Sequence, residues 1–437
     1  MSELVYQLIQ QEEQRQIDKI GLIPSENHMS PQVTKALASC LSSKYSEGYP
    51  GKRYYEGNQI VDQLENLAID RAKKLFGVPF ANVQAYSGSP ANSAIQFALL
   101  APGDTLMGLR LGGGGHLTHG HPKVTFSGNH FRSIQYGLDE NARIDFDEML
   151  AMAQEHQPKM IIAGTTSYPL ALDFAQFRKV ADAVGAWLVA DISHITGLII
   201  GGEHPSPIPH ADVIMTTTHK TLRGPRGAII MVTGRGLARD PKLGNKIDKA
   251  IIPGLQGGPH NATTAGIAVA LEEAAQPEFR TYSRQTRLNA NALADSLRSR
   301  GLKMVGDGTE NHLIVVDLTP YSVGLGTQVA YAMDVAGLYA NRNTIPGEPG
   351  SPFYPSGLRL GTPLVTTRGM KEADMAQIGE WIAKVVEHVK DETLPTERKQ
   401  RATFVKAFKA QANDDPFLLA IRDEVKALAM QFPLFQM

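Results

Sequence analysis

Along the middle of the chain, short runs of wholly apolar residues alternate with stretches in which apolar positions recur every three to four residues. The run 159–164, with Met160, Ile161, Ile162 and Ala163, predicts a strand, and 177–184 predicts a helix. Residues 186–190 (AWLVA), 213–216 and 228–232 (AIIMV) predict further strands, short and without polar alternation, as strands covered on both faces are. Strand and helix in alternation predict βαβ units and a mostly parallel sheet flanked by helices, the α/β class. Helical periodicity then runs over 263–275 and, after Pro277, through 288–302. A strand at 313–318 mixed with helices at 328–337 and 370–390 predicts a smaller α/β C-terminal domain. The expected division is an N-terminal arm over 1–30, a large domain over 31–276 and a small domain over 277–437.

A chain of 437 residues exceeds what one core usually serves and leaves room for a buried site. Its 43 Lys and Arg balance 44 Asp and Glu, so no global basic field draws nucleic acid or an anionic membrane. A small-molecule partner is expected. The single cysteine, Cys40, allows no internal disulfide, and the first 19 residues are acidic and polar, unlike a signal peptide. No run approaches the ~20 apolar residues of a membrane span. These features predict a cytoplasmic enzyme.

Four segments carry candidate chemistry. Residues 83–86 (VQAY) predict a strand that feeds Ser87, Gly88 and Ser89 as a tight turn into a helix from Ala91 onward. Free N–H groups and hydroxyls at such a helix start suit a phosphate, although an ordinary cap reads the same way. Asp191 follows directly on AWLVA, at the strand end where open parallel sheets gather ligands. Lys220 closes TTTHK at 216–220, after the next strand, so two successive strands deliver an acid and a lysine to one rim. A lysine desolvated beside a cofactor becomes a usable amine, whereas lysine elsewhere is mostly a solvated surface charge. Arg359, in PSGLRLGTP at 355–363, offers a fork that matches a carboxylate, or a partner for a buried ion pair.

Together with KYSEGYPGKRYY at 44–55, GGHLTHG at 114–120, TTTHKTLRGPRG at 216–227, QGGP at 256–259 and SGLRLGTP at 356–363, these segments carry a family resemblance. The chain resembles serine hydroxymethyltransferase, a family of fold-type I pyridoxal 5′-phosphate (PLP) transferases, from IPSEN at 23–27 to FPL at 432–434. The resemblance implies that Lys220 holds PLP as a Schiff base, that Asp191 binds its ring nitrogen and that His116 stacks on the ring. It implies a phosphate site of Ser87, Gly88, Ser89 and His219, joined from a neighbouring subunit by Tyr45, Gln256, Gly257 and Gly258, with Thr166 and His194 also at the cofactor. Ser25, His194 and Arg359 are implied to orient the amino acid, with Arg359 on its carboxylate. Glu47 is implied as the acid/base residue beside the hydroxymethyl group, and Tyr55 lies near the Schiff base. Glu47, Tyr54, Leu111, Gly115, Leu117 and Asn343 are implied to line a site for tetrahydrofolate, the co-substrate. A site shared between chains implies a homodimer or a larger homo-oligomer.

Departures from the family pattern cluster around the substrate. Pro24, Pro90, Thr166 and Ser193 stand where the family usually has Ala, Gln, Ser and Ala, and Arg110 and Gly113 also depart, Gly113 replacing a His. The missing imidazole at Gly113 is expected to open room near the substrate's α-carbon. That predicts acceptance of a bulkier amino acid such as α-methylserine, with D-alanine as product, besides or instead of serine and glycine. Glu47, Tyr54 and Asn343 favour folate as carrier over a folate-independent aldolase or transaldolase. His116, His119 and His121 (HLTHGH) suggest a zinc site by spacing alone, but no Cys or carboxylate nearby in sequence completes it, and no metal is expected. A non-catalytic protein of the same fold is the remaining alternative, opposed by the joint presence of Lys220, Asp191, Glu47 and Arg359.

Overall fold

The apolar runs at 160–164, 187–191, 213–217 and 228–232 are strands of one sheet, and nearly every residue in them is buried. In the computed structural model residues 2–122 and 124–435 are described; Met1, Gln436 and Met437, outermost in the expected arm and small domain, lie outside them. The described residues group into two units, one drawn from Asn27–Thr166 and Ala171–Arg284, the other from Met1–Glu26, Ser167–Leu170 and Gln285–Met437.

The main sheet of the first unit has seven strands: β1 (Phe80–Asn82), β2 (Thr105–Leu109), β3 (Arg132–Tyr136), β4 (Met160–Gly164), β5 (Trp187–Asp191), β6 (Val213–Thr217) and β7 (Ala228–Val232). Their order across the sheet is β1, β7, β6, β5, β4, β2, β3. Every pairing from β6 to β3 is parallel, and only β7 runs against its neighbours. Such a sheet needs both faces covered. On one face Ala91, Ala94 and Ile95 of the helix Gly88–Leu99 meet Met160, Val189, Met215 and Ile230, all nearly inaccessible to solvent. Each of the larger ones, Ile95, Met160, Val189, Met215 and Ile230, contributes roughly 1.5–3 kcal/mol on burial.

Three expectations here are corrected. Residues 83–86 are not a strand: pairing with β7 ends at Asn82, opposite Ile230. Beyond it one backbone bond to β7 persists, Ala228 N–H donating to Ala85 O at 3.1 Å, but the N–H groups of Gln84 and Tyr86 turn to side chains, Asn82 Oδ1 and Gln256 Oε1. The helix begins at Gly88 rather than Ala91 because Ser87 is its cap and Pro90, with no N–H to lose, fits the first turn. The helix expected over 177–184 likewise starts earlier, at Phe174, where the Asp173 carboxylate accepts from the N–H groups of Ala175 and Gln176.

The second unit has a four-stranded antiparallel sheet of β8 (Lys303–Met304), β9 (Leu313–Asp317), β10 (Asn341–Asn343) and β11 (Gly357–Gly361), in the order β8, β9, β11, β10. Ile314, Val316, Leu358 and Leu360 of its strands pack with Val329 and Met333 of the helix Gly326–Val335 and with Ile378, Trp381 and Ile382 of the helix Glu372–Val389. Near the chain's start, Ile20 and Gly21 pair in parallel with Leu338 and Tyr339.

Candidate functional site

In the first unit the ends of β5 and β6 and the start of the helix Gly88–Leu99 supply most of the expected cofactor residues. Asp191 ends β5, next to Met215 of β6, and is buried. Its carboxylate accepts four hydrogen bonds. Oδ1 takes the N–H of Ser193 at 3.1 Å and its hydroxyl at 2.6 Å. Oδ2 takes Asn92 Nδ2 at 2.9 Å and lies 2.9 Å from Nε2 of His119, a side chain closed to solvent. A carboxylate only accepts here, so His119 Nε2 carries the proton. Burial by itself raises the Asp191 pKa, but the His119 hydrogen bond and the charges of His119, Lys220 and His116 outweigh it and hold the group well below the carboxylate range.

His116 joins the same network. Its Nδ1 accepts from the Thr118 N–H at 3.2 Å and lies 2.7 Å from the Thr118 hydroxyl, which takes the second proton of Asn92 Nδ2 at 2.8 Å. Asn92 thus ties the ring expected to stack on the cofactor to the acid expected at its nitrogen. The His triplet does not converge on a metal: His119 is spent on Asp191, and among the described residues no group of three His, Cys, Asp or Glu is arranged to hold one.

Around Lys220, Thr218 O accepts from Gly224 N–H and Lys220 O accepts from Arg223 N–H, which closes 218–224 into a turn. Arg223 takes a left-handed φ of 60° there, its guanidinium 4.3 Å above the Tyr282 ring. Asn27, in the IPSEN segment, donates to Lys220 O at 3.0 Å and to the Tyr282 hydroxyl at 2.8 Å. Burial and the charges of Lys220 and Arg226 push His219 down to about 3, so its imidazole is neutral, and its buried Nδ1 has no partner among the described residues.

These residues fit PLP. Ser87 makes no side-chain cap bond to its own helix, which leaves the hydroxyl for a phosphate. A Cβ on Gly88 would come within 2.7 Å of Thr217 Cγ2, so only glycine lets the helix start approach the strand that leads to the lysine. A neutral His219, an ionised Asp191 and Lys220 complete a donor set for phosphate, ring nitrogen and aldehyde.

Thr166 donates its N–H to Gly114 O at 2.7 Å, and a Cβ on Gly115 would lie 2.0 Å from Leu109 O. Close backbone packing therefore explains glycine at 115. A Cβ on Gly113 would aim at Leu109 and Leu138, 3.3 Å from each. The room expected there near the substrate is instead space between leucines. His194 is buried and its carbonyl accepts from the Thr221 hydroxyl. Leu111 sits on a short 3-10 turn, and Leu117 is exposed.

Glu47 comes just before, and Tyr54 and Tyr55 just after, a short hairpin that pairs Gly48–Tyr49 with Lys52–Arg53. Arg53 fastens it, donating to Asp62, Glu65 and the carbonyls of Ser46 and Gly48. Glu47 N–H donates to the Tyr55 hydroxyl at 2.9 Å. Tyr45, Glu47, Tyr86, Gly257, Gly258 and His260 line a cavity of about 650 Å³. Gln256 Oε1 accepts from Tyr86 N–H at 3.1 Å, and its Nε2 donates to Gln84 O at 2.8 Å.

Ser25, Asn343 and Arg359 belong to the other unit. Arg359 is buried in β11, and its guanidinium donates to Asn341 Oδ1 through Nε at 3.1 Å and Nη2 at 2.7 Å. Burial lowers its pKa to about 10, which still leaves it charged near neutrality. Asn343 donates to Thr344 O, and Ser25 lies in a half-buried turn.

The sequence reading missed Asn92, Thr118 and Asn341 and the pairing of His119 with Asp191. Asn92 lies one helical turn beyond Gly88, and that spacing was its one available signal.

The family model for serine hydroxymethyltransferase matches residues 1–382. A serine hydroxymethyltransferase of Acidothermus cellulolyticus is 58% identical over 379 residues, 86% of this chain and 87% of its own. One from Desulfotalea psychrophila is 51% identical over 91% of each chain, and one from a Synechococcus species 48% identical over 99% of this chain and 95% of its own. The chain belongs to the serine hydroxymethyltransferase family, a family of fold-type I PLP-dependent hydroxymethyltransferases with tetrahydrofolate as co-substrate.

Proposed function

On the premise of that membership, we propose that this chain moves the hydroxymethyl carbon of serine to tetrahydrofolate and forms glycine, with Lys220 as the covalent anchor of PLP. The observation that carries the reading is the meeting, at the ends of β5 and β6, of an ionised buried Asp191 with the turn bearing Lys220. Bound there, the cofactor supplies an electron sink for the bond broken at the amino acid's α-carbon. Asp191 keeps the ring nitrogen charged, His116 covers the ring, and Ser87, Gly88, Ser89 and the neutral His219 hold the phosphate, with Thr166 and His194 nearby. Arg359 pairs its fork with the amino acid's carboxylate, aided by Ser25. Glu47 moves the proton at the substrate hydroxyl, Tyr55 keeps Glu47's backbone in place, and Tyr54, Leu111, Gly115, Leu117 and Asn343 flank the folate.

The same reading makes the protein a cytoplasmic homodimer or larger homo-oligomer, in which Tyr45, Gln256, Gly257 and Gly258 complete a neighbour's phosphate site. Tyr45 and Tyr54 are 65% and 66% exposed, as groups awaiting a second copy would be. On the helix Ser2–Asp18, Leu4, Val5, Leu8 and Ile9 are exposed too. No helix among the described residues is long and apolar enough to cross a membrane.

A second reading makes the amino acid α-methylserine and the product D-alanine. Thr166 and Ser193 favour it, because these departures bond directly to Gly114 and to Asp191. Turnover of serine and of α-methylserine, each with and without tetrahydrofolate, tests both. Folate-dependent glycine formation from serine is expected. D-alanine from α-methylserine at a higher rate selects the second reading, and folate-independent release of aldehyde from either overturns both in favour of an aldolase.

A further inference from the structure

We propose that Ser193 is a positioning residue for the cofactor site, its hydroxyl fixing the Asp191 carboxylate to the strand that leads to Lys220. The inference rests on the reading that Asp191 meets the cofactor's ring nitrogen.

Parallel pairing of β5 with β6 runs from Val189 opposite Val213 to Asp191 opposite Met215, and its last rung is the Ile192 N–H on Met215 O. Two residues on, the Thr217 N–H has no β5 carbonyl in reach and donates to the Ser193 hydroxyl oxygen at 3.0 Å. The hydroxyl's own proton goes to Asp191 Oδ1 at 2.6 Å; the Met215 sulfur, at 3.7 Å, is the poorer acceptor. One side chain therefore adds a rung to the sheet and ends it on the carboxylate. Ser193 is 5% exposed and Thr217 equally so, which keeps water from replacing either bond. Because the Ser193 N–H also holds Oδ1, the hydroxyl fixes that oxygen's direction, while Asn92 and His119 fix Oδ2. Alanine at 193 would leave a buried Thr217 N–H without an acceptor and let the carboxylate turn about its two remaining side-chain donors.

The test uses the full-length holoenzyme as wild type, Ser193→Ala and Ser193→Thr. The pH midpoint of the bound cofactor's visible absorbance and the dissociation constant for PLP are measured in each. The charged and titratable groups acting on Asp191 are His116, His119 and Lys220, all unchanged in these variants. In Ser193→Ala the midpoint moves by about half a pH unit or more, and affinity for PLP falls about fivefold, the size of one hydrogen bond. Ser193→Thr, which keeps the hydroxyl, returns both toward wild type. Unchanged values in Ser193→Ala, or equal changes in both variants, overturn the proposal. Should Ser193→Ala fail to fold, Ser193→Cys, close in volume but a weak donor, is judged by the same criteria. The underlying reading fails separately, if Asp191→Ala binds PLP as tightly as wild type.

Discussion

His119 Nε2 lies 2.9 Å from Asp191 Oδ2, inside the protein, with the imidazole closed to solvent. The pair makes His119 a donor to the acid rather than a metal ligand, and it is a principal reason the carboxylate stays ionised despite its burial. Replacing it with phenylalanine keeps a ring in the site and removes the donor. His119→Phe is expected to weaken PLP binding roughly tenfold, the cost of one charge-assisted hydrogen bond, as read by titrating apoenzyme with PLP.

Acid titration reports on His219. Its native pKa, about 3, lies below the ordinary 6.5, so the folded state favours the neutral ring. The stability this gives is fully present above pH ~6.5 and is lost as pH falls toward ~3, by up to about 1.4 kcal/mol per pH unit. Urea unfolding at steps from pH 7.5 to 4.5 is expected to show that decline, and His219→Asn a flatter one. Equal slopes would mean that His219 already titrates normally in the folded protein.

Arg359 spends part of its fork on Asn341 Oδ1, which sets the guanidinium plane. Lysine keeps the charge and loses the fork. Arg359→Lys is expected to raise KM for the amino acid by roughly 10–100-fold, with a smaller change in kcat. Steady-state kinetics at saturating folate distinguishes this from a general loss of activity.

Two neighbouring glycines make a contrast that needs no ligand. A Cβ on Gly115 would lie 2.0 Å from Leu109 O, whereas one on Gly112 would meet nothing within 4 Å. Gly115→Ala is expected to cost about 3 kcal/mol in urea unfolding and Gly112→Ala within about 0.5 kcal/mol of nothing. Similar losses at both would show that the 109–115 backbone gives way.

Much of this was legible beforehand. The strands at 160–164, 187–191 and 228–232 announce themselves because strands buried on both faces carry unbroken apolar runs. Asp191 and Lys220 were readable for the same reason, as polar residues just past such runs. The 83–86 segment misled because its apolar Val83 and Ala85 are buried as strand residues are, while the N–H groups of Gln84 and Tyr86 turn to side chains and Ala85 O keeps a bond to β7. Gly113 misled because a missing side chain says nothing of its direction.

By itself the sequence determined the layer architecture, the rim on which the acid and lysine stand, and the family, since all three follow from local patterns and motifs in order. Only tertiary structure decided that Ser193, Asn92 and His119 converge on Asp191, that Arg53 clamps the hairpin after Glu47 and that Gln256 reaches Tyr86 and Gln84. Those contacts join residues up to 172 positions apart. A hydrogen bond depends on atoms brought within about 3 Å, and no local periodicity records which distant strand or helix will supply them.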